Sequence, residues 1–439
     1  MKQSEFVDNL LGFIGSSPTA FHAAGNISDL LRARGFRELH YQQNWGPLSP
    51  GGYFVRSNDS SLIAFRLSGE GLNDTIVRMA GAHTDSPALK IKPSPVQVNS
   101  ALLQLGVETY GGALLAPWFD RDLSMAGRLT WRAPDGLVRN TLIDFGRPVA
   151  VIPSLAIHLD KEANDRKPVN KQTDMMPILG PADGGAPPDW KGILAQQLTR
   201  EHEGISEPEI LAHELFLYDW QPPARLGLNN EFITGARLDN LLSCYTLIRG
   251  LIEAESDCNC LVVLNDHEEI GSLSSGGARG PFLRSILERL IPDHERRHRC
   301  VSRSLFISAD NAHAVHPNFA DRHDKGHLPA MNGGPVIKYS ANHRYATTSR
   351  SASFFKILSG RAGVPVQEFV MRSDLAGGST LGPVTAGEIG VQTVDVGIAT
   401  LAMHSIRELA GRDDGWHLFQ VMKTFFALET DDKIWQCLT

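Results

Sequence analysis

Five cysteines in 439 residues (Cys244, Cys258, Cys260, Cys300 and Cys437) are too few and too irregularly spaced for a disulfide framework. Their odd number points to reduced thiols and a cytoplasmic setting. Cys258-Asn-Cys260 has one intervening residue, not the two of a zinc knuckle or thioredoxin-type pair, and reads as turn or core thiols. No window approaches the roughly 18 uninterrupted apolar residues of a membrane helix. Glu5 and Asp8 break the N-terminal segment where a secretory leader needs an apolar run, so neither a membrane partner nor secretion is expected. Basic runs are missing as well. Lys plus Arg number 42 against 49 Asp plus Glu, a net charge of −7, which is a poor match to a phosphate backbone and leaves nucleic acid out as a partner. What remains, 42% hydrophobic and 21% charged, is an ordinary globular balance and excludes a disordered or collagenous chain.

At roughly 100–200 residues per domain, the length allows two or three. The spacing of Phe6, Leu10, Leu11 and Ile14 predicts a helix, and residues 20–34 a second, stopped by Gly35. Short β-type runs follow at 53–56, 62–67 and 75–80, the last leading into Gly81-Ala82-His83. From about residue 92 the texture is mainly β. Residues 96–132 and 137–152 read as alternating strands, and Ala133-Pro134-Asp135-Gly136 between them has hairpin chemistry, Pro presetting φ and Gly supplying φ > 0. A polar stretch rich in Pro and Gly leads to a helix near 192–200, and strand-like pieces continue to about 232. From residue 238 helix and strand alternate: helices at 238–254, 281–290, 352–358 and 416–428, strands at 261–264, 305–309 and 394–398. Buried strands separated by helices imply a sheet covered on both faces. The expected fold is α/β, a mixed sheet flanked by helices and built from residues 1–91 and 233–439, with a mainly β insertion over 92–232.

Several of these strands end in polar residues that are costly to bury without a task. His83 and Asp85 follow one, Asp266-His267-Glu268-Glu269 another, and Asp310 a third. In an open α/β sheet, the crevice beyond the carboxyl ends of the strands is where ligands bind. Asp239 at a helix start and His404 after Ala402-Met403 could join them. Any one of these, taken alone, is more often a cap or a satisfied polar group. Glu268 and Glu269 are harder to read so, since adjacent carboxylates after a buried strand repel unless a cation or proton separates them. Carboxylates and imidazoles without thiolates suit divalent first-row ions. Two such ions about 3.5–4 Å apart can hold a hydroxide, polarise a carbonyl and stabilise the resulting oxyanion.

The wording of the chain is more specific than its residue types. GAHTDSPALKIKP, TGARLDN, NDHEEIGS, ISADNAHAVHPN, GPVIK, HRYA and LAMHSIRE occur in the order in which they are found in the aspartyl aminopeptidase family of cocatalytic zinc metallopeptidases, and the likeness spans the whole chain. The resemblance implies a zinc-peptidase-like catalytic domain with an inserted dimerisation domain, and two Zn²⁺ that Co²⁺ or Mn²⁺ could replace. By position, His83 and Asp310 resemble the terminal ligands of one metal, Glu269 and His404 those of the other, and Asp239 the bridge. Glu268 resembles the general base and Asp85 the partner that orients His83. Lys338 and Tyr345 resemble the pair that meets an acidic substrate side chain; Arg344 is an alternative cation. His158 resembles a residue that serves the active site of a neighbouring subunit. The implied activity is removal of N-terminal Asp or Glu from peptides by a homododecamer built from dimers. Two other readings stand beside it: a related two-metal aminopeptidase or deacylase preferring neutral residues, and a non-enzymatic shell-forming protein. Residues 312–346, rich in Pro, Gly, Asn and His, read as a functional loop or a plain surface one. His294–Arg299 is expected to be a solvated connection, and the glycines of residues 373–383 to let backbone N–H groups approach substrate.

Overall fold

The computed structural model describes residues 1–69, 76–165, 168–182, 186–255 and 257–438. It divides into two compact units, one of residues 1–85, 223–403 and 408–439, the other of residues 86–222 and 404–407. Among the described residues no helix is long and apolar enough to cross a membrane.

The first unit is built on a nine-stranded mixed sheet. Its order is Arg37–Leu39, Gly51–Ser57, Ser61–Leu67, Cys260–Asn265, Arg78–His83, Leu305–Ala309, Gln392–Gly397, Val336–Tyr339 and Gln367–Val370. The four central strands from Cys260–Asn265 to Gln392–Gly397 run parallel, and antiparallel neighbours close them on both sides. Successive side chains of a strand point to opposite faces. Ala80, Val262, Leu264, Ile307 and Val394 therefore join one core with the helices Leu238–Glu253, Ser349–Arg361 and Asp414–Phe426. Met79, Leu261, Val263 and Phe306 join another with the helix Phe282–Leu290. Both faces are covered, as the continuous apolar strands require. The strand expected at 75–80 is Arg78–His83; Thr75 lies outside the described residues. A second, five-stranded sheet of short segments completes the unit, in the order Ala224–Leu226, Phe232–Gly235, Glu408–Gly411, Ala399–Leu401, Ala312–His313.

Two helices depart from expectation. The residues from His294 to Arg299, expected to be a solvated connection, are exposed or half-buried but are helical, within His294–Arg303. The Asp293 carboxylate caps it, accepting from Arg296 N at 2.8 Å, and only Cys300 and Val301 anchor it apolarly. A second helix, Leu381–Ile389, starts inside the glycine-rich stretch.

The second unit is a six-stranded antiparallel sheet, in the order Val138–Asp144, Leu123–Arg132, Glu209–Asp219, Ala88–Asn99, Leu102–Tyr110, Ile178–Pro181. The hairpin forms where Pro134 and Gly136 place it: Ala133 N donates to Leu137 O at 2.9 Å and Gly136 takes φ 82°. The helix Trp190–Glu201 buries Trp190, Leu194 and Leu198 in this unit's core beside Leu129, Ile210, Leu215 and Leu217. Asp189 caps that helix by accepting from Lys191 N.

Candidate metal centre

His83 is the last residue of its strand, and Asp85 follows two residues later. The His83 ring is buried, with Nδ1 3.0 Å from the carbonyl oxygen of Asp85 and 3.4 Å from its Oδ1. A carbonyl only accepts, so Nδ1 carries the proton in the neutral ring and Nε2 presents its lone pair. That nitrogen lies 3.3 Å from Asp239 Oδ1 and 3.4 Å from Asp310 Oδ1. Asp310 follows the parallel strand Leu305–Ala309, next to that of His83, so neighbouring strand ends deliver both groups. Asp239 comes from the irregular first turn of the helix Leu238–Glu253, where its φ/ψ of −84°/105° is non-helical and its peptide bond to Asn240 is cis. That turn is held from both sides. Asp239 N donates to Glu408 Oε2 at 2.9 Å, and Asn240 Nδ2 donates to Ala309 O at 2.9 Å.

Glu268 and Glu269 form a single tight turn after the strand Cys260–Asn265. Both of their backbone N–H groups donate to Asp85, at 3.1 Å to Oδ1 and 3.1 Å to Oδ2. Asp85 thus clamps the turn while it faces the His83 ring. Two sets of donor atoms converge within 4.8 Å: those of His83, Asp239 and Asp310, and those of His83, Glu268 and Glu269.

The electrostatics follow from burial and crowding. Burial pushes the Glu268 carboxyl up to about 8, with His83 opposing and Asp310, Asp85 and Asp239 adding to the rise. Glu269 is raised well above its ordinary value by burial and by Asp239. Burial disfavours charge on His83, but hydrogen bonds with Asp239, Asp310 and Asp85 overcome it and hold the imidazole well above the usual range. Burial would also raise Asp310; the Lys338 ammonium and His83 instead hold it below the ordinary carboxylate range. Without a cation, then, protons must separate these groups. A set of one imidazole and four carboxylates with no thiolate, whose lone pairs face one another in a buried site, fits hard to borderline divalent ions such as zinc.

The remaining residues singled out by the sequence are placed as follows. Lys338 is only 2% exposed, and its Nζ donates to Asp310 O at 3.2 Å, Asn311 O at 3.1 Å and Asp310 Oδ2 at 3.4 Å. It lies 5.1 Å from the centre of the buried Tyr345 ring. Arg344 is exposed and donates to Gly377 O at 2.7 Å. His404 belongs by compactness to the second unit, where its Nδ1 donates to Gly112 O at 3.2 Å, so that Nε2 carries the lone pair of the neutral ring. The loop that carries it joins the strands Ala399–Leu401 and Glu408–Gly411. His158, expected at a strand end, sits in an exposed turn. Sequence reasoning missed Glu408, Asn240 and Cys244, whose Sγ lies 2.9 Å from His83 O. Glu408 was visible only as a lone acid in the last quoted motif, and nothing in its surroundings there marked it as the holder of a distant backbone N–H.

Known proteins resemble the chain along nearly its whole length. The family model for aminopeptidase I zinc metalloproteases (M18) matches residues 13–426. A probable M18 family aminopeptidase 2 of Pseudomonas paraeruginosa is 52% identical over 425 residues, covering 97% of this chain and 99% of the relative. Among solved structures, one described as the Ape4 and Nbr1 complex superposes with a TM-score of 0.93 at 35% identity, over 97% of this chain and 86% of the other. The mApe1 dodecamer of Saccharomyces cerevisiae gives 0.83 at 28% identity, over 99% and 97%.

Proposed function

The chain belongs to the M18 family of zinc aminopeptidases, and from that premise we propose that it removes N-terminal Asp or Glu from peptides with two zinc ions and a glutamate base. The observation that carries the reading is the convergence of His83, Asp310, Glu268 and Glu269, at the ends of adjacent strands, with Asp239 from the start of a helix. In this proposal His83 and Asp310 would hold one ion, Glu269 and His404 would hold the other, and Asp239 would contribute to both. The ions would supply Lewis-acid activation of the attacking water and of the scissile carbonyl, with Co²⁺ or Mn²⁺ as possible replacements. Glu268 takes the proton from the attacking water and passes it to the departing amine. Its carboxyl, pushed up by burial in the metal-free protein, returns to the charged form a base requires once cations sit beside it. Asp85 fixes the His83 tautomer and the turn that carries both glutamates.

Lys338 and Tyr345 would meet the acidic side chain of the substrate. His158, exposed in the β-rich unit, would serve the site of a neighbouring subunit, with that unit mediating the dimers of a larger homo-oligomer. The dodecameric neighbour supports self-assembly of that kind, and the free thiols among the described residues fit a cytoplasmic place of work. One observation favours the second reading, a preference for neutral residues: the Lys338 ammonium already has three oxygens within 3.4 Å.

Rates on Asp-, Glu-, Leu- and Ala-terminated substrates, measured on one zinc-quantified sample, decide between them. Acidic preference predicts the higher kcat/KM for Asp and Glu, and a Lys338→Ala variant that loses far more on these than on Leu or Ala. Equal losses on both classes would remove Lys338 from substrate recognition. Chelation should abolish activity and zinc restore it; indifference to chelators rules out the mechanism.

A further inference from the structure

Asp395 stands in the interior of the strand Gln392–Gly397, between the core residues Val394 and Val396, and is fully buried. A carboxylate there is costly to keep unless hydrogen bonds satisfy it. Its Oδ2 accepts from Ala346 N at 2.6 Å and its Oδ1 from Thr380 Oγ1 at 2.6 Å, while its own N–H donates to Thr347 Oγ1 at 2.9 Å. The carboxylate also packs against the first turn of the helix Leu381–Ile389, where a Cβ added at Gly382 would collide with it. Two segments therefore end on this one side chain. The first, residues 340–348, carries Arg344 and Tyr345; the second, residues 373–380, carries the glycine-rich loop. Near the surface they are tied directly, by Arg344 Nη1 donating to Gly377 O at 2.7 Å and Ser379 Oγ to Arg344 O at 3.2 Å. Exposed ties of that kind hold geometry weakly. The buried tie is Asp395, and it acts on the residue next to Tyr345, whose ring lies beside Lys338.

We propose that Asp395 is a positioning residue that pins both segments to the central sheet and so fixes Tyr345 at the substrate side-chain pocket. The inference rests on the reading that Lys338 and Tyr345 meet that side chain. Asp395 touches no reacting atom; it acts through Ala346, Thr347 and Thr380.

The test uses the zinc-loaded, full-length assembly and three variants: Asp395→Ala, Asp395→Asn and Thr380→Val. In Asp395→Ala, the KM of the substrate the wild type prefers should rise about tenfold or more, since two hydrogen bonds to a carboxylate are lost. Its kcat should change less than about threefold, with zinc content retained. Asp395→Asn should recover most of the loss, because its carbonyl can still accept from Ala346 while its amide donates to the Thr380 hydroxyl. Thr380→Val, which removes one tie and leaves the carboxylate, should give a smaller rise in KM. An unchanged KM in Asp395→Ala overturns the proposal, as does a loss of kcat in step with zinc. Should Asp395→Ala fail to fold, Thr380→Val decides, and a flat KM there overturns it. A wild type that prefers neutral substrates would defeat the acidic reading instead, while the KM split on its preferred substrate would still judge Asp395.

Discussion

Replacing Asp85 by Asn tests the centre at the point where the most geometry hangs on one side chain. The carboxylate accepts from Glu268 N and Glu269 N at 3.1 Å each, and its Oδ1 lies 3.4 Å from His83 Nδ1. Asn is nearly isosteric but has one carbonyl and one amide, so it can accept from only one of the two N–H groups and must aim a donor at the other. A hydrogen bond to a charged group contributes about 1.5–3 kcal/mol, and the facing donors add to that loss. At about 1.4 kcal/mol per factor of ten, the turn that carries both glutamates should be disfavoured at least about tenfold, and up to about a hundredfold. Competition with a chromogenic chelator should show zinc affinity reduced about 10–100-fold, the range for partners that orient metal ligands. At saturating zinc, kcat should remain depressed, because Glu268 is then held less well. Zinc affinity and kcat both within a factor of two of wild type would refute the claim that Asp85 organises the turn.

Glu268→Gln should lower kcat by about 10²–10⁴-fold while zinc stays bound; loss of zinc instead would mean that Glu268 and Glu269 have exchanged roles. In the metal-free protein, the folded Glu268 carboxyl titrates near 8 against an ordinary 4.5, so between those values the folded state holds a proton that the unfolded state has released. Stability should therefore fall as pH rises across that window. His83, raised by its carboxylates, acts in the same direction, whereas the lowered Asp310 loses its contribution only below the ordinary carboxylate range. Thermal melts of apoprotein that rise between pH 5 and pH 8 would contradict this, and added zinc should flatten the trend. Gly81→Ala should destabilise by about 1–3 kcal/mol, because the added methyl would enter the space of the Phe306 ring and lie 3.1 Å from Val263 Cγ1. A denaturant midpoint equal to wild type would show that the strand under His83 is looser than its packing implies.

The alternation of buried strands and helices after residue 238 was legible because strands such as Cys260–Asn265 carry apolar residues on both faces; Leu305–Ala309 fell where the sequence placed it. The helix His294–Arg303 was not. Its stability comes from an Asp293 cap and from two apolar residues at its far end, and neither leaves a periodic stripe. The helix Leu381–Ile389 was hidden by its own composition, since Gly382, Pro383 and Gly387 read as loop residues. Several strand-end acids and His83 were visible as polar residues in costly places, and the family resemblance implied that they meet, but no local pattern shows it, because residues 83, 239, 268, 269 and 310 are scattered along the chain. Asp395 escaped notice for the opposite reason. An isolated acid in an apolar strand carries no motif, and its partners at 346, 347 and 380 are loop residues whose distance from it only the sheet reveals.

The bond from Asp239 N to Glu408 Oε2 reaches across 169 residues of chain. The strand Gln392–Gly397, which lies against Leu305–Ala309 at the heart of the sheet, is likewise made late in synthesis. A polypeptide emerging from the ribosome therefore cannot anchor Asp239 in this way until residue 408 has appeared. Fragments that stop short of it would carry His83, Asp239, Glu268, Glu269 and Asp310 without the contact that holds the second of them in place.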